Sequence, residues 1–143
     1  MARVNEKACR CRTGTWNPAL VFSGGSAGVA YASKPHGVYS KAGRVVVAHF
    51  VVNLSSKGTG AGAATVTGLP FADGVGVMHV TIDQWARFAT PLVFLGGGIS
   101  PSLPKGVGLR ALAAAATSIG NLTHAHLADN SSFAGTVVYT AKA

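Results

Sequence analysis

Charged residues are scarce in this 143-residue chain, at 11% of the total, where an average globular domain carries roughly 25%. A surface so poor in charge is covered by Ser, Thr, Gly, Ala and Asn. It suits a molecule that buries much of its outside against neighbours. Acids are scarcer still. Glu6, Asp73, Asp83 and Asp129 stand against 12 Lys and Arg, for a net charge of +8. Four acids make no paired carboxylates with a matching site, and no serine or cysteine sits at a recognisable elbow, so no enzyme is expected. His79 and Asp83 share one strand face but have no nucleophile to serve. Cysteine is limited to Cys9 and Cys11, too close together to close a useful loop, which excludes a disulfide scaffold. Cys9-x-Cys11 is half of a zinc site without its second half, and His124 with His126 lacks a third ligand. No metal and no other cofactor is expected. No apolar run reaches the about 18 residues of a membrane span. No secretory signal opens the chain, which reads as made and assembled inside a cell with no membrane partner.

What the chain does have is β-branched sequence in short pieces. The longest is Gly43 to Ser56, GRVVVAHFVVNLSS. Val46, Ala48, Phe50, Val52 and Leu54 fall on one face of an extended strand, and that face is wholly apolar. Val45, Val47, His49, Val51 and Asn53 fall on the other, which turns polar at His49 and Asn53. At helical spacing the stretch is apolar all round, and its valines favour strand. A strand this long lies centrally in a sheet or crosses between two packed sheets.

Shorter strands surround it: Gly14 to Phe22 with Trp16 as an apolar anchor, Gly28 to Ser33, Ala63 to Gly68, Val75 to Trp85, Pro91 to Leu95 and Phe133 to Ala141. Val75, Val77, His79, Thr81 and Asp83 share one face of their strand; Gly76, Met78, Val80, Ile82 and Gln84 share the other. Lys41-Ala42-Gly43 reads as a hairpin turn into the long strand. Val107 to Thr117 is alanine-rich, which favours helix by propensity. Its alternation and its neighbours favour strand, and a strand is expected there. Ser55 to Gly62 reads as a flexible loop with Lys57 at its tip; it lacks the residue order of a phosphate-binding loop. Ser118 to Ser132 reads mostly as loop. About eight or nine short strands with Gly-rich turns predict an all-β antiparallel sandwich of jelly-roll type over residues 14–143. Residues 1–13 are expected to form a flexible basic arm carrying Arg3, Lys7, Arg10 and Arg12.

Four pieces, in order, resemble a known family. They are GTWNPALVFSG (Gly14–Gly24), GVYSKAGRVVVAHF (Gly37–Phe50), LSSKGTGAG followed by VTGLPF (Leu54–Phe71), and LADNSSFAGTVVYTA (Leu127–Ala141). Together they are similar to a jelly-roll-like β domain of tailed-phage virion proteins, found in small capsid cement (decoration) proteins and at tail-fibre tips. The resemblance implies a structural, self-associating virion protein. The short arm and the positive charge favour the cement role. The chain would then sit on the capsid exterior, bridge subunits of the major capsid protein and be assembled in the bacterial cytoplasm. A homodimer is favoured over a trimer. Arg3, Lys7, Arg10 and Arg12 would pair with carboxylates on the shell, each exposed pair contributing about 0–1 kcal/mol. The alternative is a receptor-binding tip domain of a tail fibre, with Trp85, Tyr31 and Tyr39 as its spare aromatics. Direct nucleic-acid binding is not expected, because basic residues and stacking aromatics are not interleaved on one strand face.

Overall fold

The structure, a computed structural model, describes residues 11–23, 25–99 and 105–142. The long strand is β5 (Val45–Lys57). Val46, Ala48 and Val52 are fully buried, and Phe50 and Leu54 nearly so, as the alternation requires. Each of these side chains except Ala48 contributes about 1.5–3 kcal/mol by leaving water, so this one face is a major part of the core. Along one side β5 pairs first with β4 (His36–Ala42) and then with β3 (Val29–Tyr31), and its other side carries β11 (Ser132–Ala141). Gly43 holds a positive φ at the first central position of the β4–β5 turn, which a side chain would disfavour.

Every ladder is antiparallel. The continuous order is β1 (Arg12–Trp16), β4, β5, β11, β7 (Asp73–Ala86), β8 (Leu92–Ile99), β9 (Val107–Ala113), β6 (Ala64–Thr67) and β2 (Ala19–Phe22), with β10 (Gly120–Asn121) beside β9. The two ends of this path, β1 and β2, are joined through Asn17 and Pro18 alone. So short a link forces the sheet to curl until its ends lie side by side. The fold is therefore the expected all-β sandwich, made from one sheet bent over its own apolar face.

Aromatic rings run through the interior. Trp16 meets Phe50 edge-on at 6.1 Å, Phe50 meets Phe133 at 6.1 Å, and Phe133 meets Phe88 at 6.3 Å. The Trp16 indole donates to the His49 carbonyl at 3.1 Å. It also lies over Gly37, where a Cβ would come within 2.5 Å of the ring.

Several expectations are refined. Arg12 and Thr13, read from sequence as part of the arm, belong to β1, opposite Lys41 and Ser40. Asn17 and Pro18 split Gly14 to Phe22 between the two ends of the sheet. Val107 to Ala113 is strand, with Val107, Leu109 and Ala111 buried, but the chain turns by Ala115, whose φ is +68°. Lys57 is no loop tip. It ends β5, and its ammonium donates to the carbonyls of His124 (3.2 Å) and Leu127 (2.8 Å). The segment it grips, read from sequence as loop, contains a single 3-10 turn (His124–His126) between the fully buried Leu122 and Leu127.

Candidate functional surface

Backbone pairing sorts the outer side chains of β1, β4, β5, β11 and β7 into rows. One row runs Thr15, Val38, His49, Thr136, Thr81; the next runs Thr13, Ser40, Val47, Val138, His79. A third runs His36, Val51, Ala134, Gln84. None of these positions carries a Lys, Arg, Asp or Glu. Val38 is 37% exposed, Val51 42% and, beyond the rows, Val45 50%. His49 Nδ1 lies 2.8 Å from Thr136 Oγ1, a bond across the β5–β11 ladder.

The described basic residues lie elsewhere. Arg44 Nε donates to the Ala141 carbonyl at 3.0 Å, and Arg87 Nε to the Asn130 carbonyl at 3.0 Å. Lys41 stands over the Phe71 ring at 5.3 Å. Arg110 lies on β9 and Lys105 just before it.

At one end of the uncharged face the ladder breaks. Ala134 pairs with Gln84 but Gly135 with Ile82, so Asp83 is an extra residue in β7. This is a β-bulge, and a bulge re-aims the side chains beyond it. Inward-facing positions run Met78, Val80, Ile82, as the alternation predicts. Past the bulge Gln84 joins the outer row of Ala134 instead of following Ile82. Gly135 permits the close approach: a Cβ there would lie 2.5 Å from the Thr81 carbonyl oxygen. The break shapes a cleft of about 490 Å3 lined by Val51, Asn53, Asp83, Gln84, Trp85, Ala86, Ser132, Phe133 and Ala134. That volume lies within the roughly 300–1,000 Å3 usual for ligand sites. Its polar side-chain groups are one carboxylate, two amides, one hydroxyl and the Trp85 indole N–H, a set that hydrogen-bonds a ligand rich in hydroxyl groups.

Of the sequence-predicted contact residues, Arg12 is exposed at the start of β1. Arg3, Lys7 and Arg10, with Cys9, lie outside the described residues. The bulge at Asp83 separates it from the regular alternation that carries His79. His124 and His126 serve the fold: His124 Nε2 is 2.9 Å from the Gly58 carbonyl oxygen, and His126 Nδ1 is 2.9 Å from the Thr123 nitrogen. Among the described residues no three His, Cys, Asp or Glu side chains gather to hold a metal. Sequence reading missed the cleft, because the bulge exists only in the register between β7 and β11. Its one local trace is Gly135, the single glycine of β11.

No protein-family profile matches the chain, and no curated protein does. The fold is similar to part of the crystal structure of the Dettilon tailspike protein, with a TM-score of 0.76 at 16% identity. The similarity covers 91% of this chain and 24% of the tailspike, so the chain spans about a quarter of that protein's length.

Proposed function

We propose that this chain is a structural β domain of a tailed-phage virion, placed on the tail as part of a spike or fibre and exposed to the host surface. The observation that carries this is the shared fold with a segment of a phage tailspike over nearly the whole chain. It supports the receptor-side alternative more than the cement role favoured by charge and arm. On this reading the rigid curled sheet is the scaffold. The cleft at the β7 bulge is the contact site for a host surface molecule, with Asp83, Gln84, Asn53 and Ser132 as its hydrogen-bonding groups.

Capsid cement is the second reading. The net charge of +8 favours it, since a basic protein is drawn to an acidic shell. One experiment separates the two. Gold-labelled antibodies against the chain are applied to intact virions and viewed by electron microscopy. Label on tails supports the proposal, label distributed over heads moves the chain to the cement role, and virions without label overturn both.

A further inference from the structure

The β7 bulge leaves Trp85 in an unusual place. Its ladder partner on β11 is Phe133, which is buried in the core. Trp85 itself is 38% exposed and lines the cleft. The ring packed edge-on against Phe133 is Phe88, from beyond the end of β7. The core thus has an aromatic at this end, and the Trp85 ring keeps surface that a ligand can cover.

We infer that the cleft binds an uncharged saccharide, with a sugar ring packed on Trp85 and its hydroxyl groups held by Asp83, Gln84 and Asn53. The inference rests on the reading of the cleft as the contact site for a host surface molecule, and it names the chemistry of that molecule.

A sugar ring has an apolar C–H face and a polar rim. An exposed indole suits the first and offers one N–H to the second. The Asp83 carboxylate accepts from more than one hydroxyl, and bonds to an ionised acceptor are roughly twice as strong as neutral ones. The amides of Asn53 and Gln84 donate and accept, as hydroxyl groups do. Asn53 is also held in place, because its Nδ2 donates to Ser33 Oγ at 3.2 Å. An apolar ligand would cover these groups and leave them without partners.

Charge narrows the class. Of the lining residues Asp83 alone is of a charged type. An anionic saccharide brings a second negative charge beside it. Arg87, near the rim, gives its Nε to the Asn130 carbonyl at 3.0 Å. A polycationic ligand is disfavoured by the net charge of +8.

The cleft is also shaped before any ligand arrives. Arg87 has a φ of +60°, a conformation that side chains rarely adopt and that tends to mark functional sites. The fully buried Ser131 keeps it there, donating from its hydroxyl to the Arg87 carbonyl at 2.8 Å. This bond and the one to Asn130 tie the end of β7 to the start of β11, the two strands that meet at the cleft. A ligand therefore has little to order on binding.

Calorimetric titration of the full chain tests this, with a panel of uncharged, acidic and amino-bearing oligosaccharides up to about 10 mM. The expected result is binding of at least one uncharged member, half-saturated at about 1 mM or below. Its acidic counterpart binds at least about tenfold more weakly. Tryptophan fluorescence changes with it; Trp16 is buried, so the change reports Trp85. Trp85→Ala abolishes binding, while Val93→Lys, at an exposed position of β8, leaves it intact. Asp83→Asn weakens the uncharged ligand about tenfold and narrows the gap to the acidic one, which a mere loss of shape would not do. Silence from the whole panel overturns the inference. So does binding that survives Trp85→Ala, and so does a preference for the acidic member. The tail assignment is separate: label on tails with no saccharide bound sinks this inference alone, and saccharide bound by a chain found on heads sinks the tail assignment alone.

Discussion

β5 and β7 flank β11 on either side, and they are nearly equal in length, at 13 and 14 residues. β5 pairs with β11 without a break from Val45 to Asn53. β7 pairs with the same strand but slips twice, at Ala134/Gly135 and at Tyr139/Ala141. The regular ladder keeps one face dry and the other uncharged over its whole length. The irregular ladder gives up hydrogen-bond continuity and gains a cleft. Regularity here supplies the core and the broad uncharged face, and irregularity supplies the local cleft.

The comparison breaks most visibly on the regular side. Phe50→Ala removes a nearly fully buried ring from the centre of β5. The expected loss is about 3–5 kcal/mol, read from chemical denaturation. A loss under about 1 kcal/mol would mean that the β5 face is not the main core.

The second test concerns the other slip. Tyr139 lies on the inner face of β11, where its hydroxyl donates to the Phe71 carbonyl at 2.8 Å and accepts from the Phe71 nitrogen at 3.2 Å. Burial pushes the phenol from 10.0 up to about 12; the Phe71 hydrogen bond opposes this and the nearby Asp73 carboxylate adds to it. The folded value is the higher one. The contribution is therefore complete below pH 10 and lost as pH rises through about 12. It amounts to about 2–3 kcal/mol, seen as falling stability across that window. Tyr139→Phe removes this alkaline step, and an unchanged step assigns it to another group.

A third change targets the bulge. Gly135→Ala puts a Cβ against the Thr81 carbonyl, and β7 must move. A cost of about 1–3 kcal/mol is expected, with the largest amide shifts at Ile82 to Gln84 in nuclear magnetic resonance spectra. Shifts spread evenly over β5 would show that the two ladders are not independent.

The smallest effect on stability belongs to the outer face. Val38→Lys, at a position 37% exposed, is expected to change stability by no more than about 0.5 kcal/mol, read from chemical denaturation. A large loss of stability would mean that the uncharged face serves the monomer.

Much of this was legible from residue order. The alternation in Val45 to Leu54 shows which side of β5 is buried, because a strand places neighbours on opposite faces. Strand outweighs helix at Val107 to Ala113, despite the alanines, because Val107, Leu109 and Ala111 have a core to enter. The same logic failed at Gln84, where one extra residue reverses the faces. It failed also for Leu122 and Leu127. These enter the core from an irregular segment without period, held in place by Lys57 from far along the chain.

The sequence by itself determined the class of structure, the two faces of β5, the poverty of charge and the turn at Gly43. These are local matters, set by side-chain period and backbone preference within a few residues. Tertiary structure alone decided that β1 and β2 close the curled sheet, that Asp83 bulges, and that scattered threonines, valines and histidines from five strands meet on one uncharged face. Those depend on register between distant segments, such as His49 beside Thr136, 87 residues apart. Register is chosen by the packing of the whole core and not by any single strand.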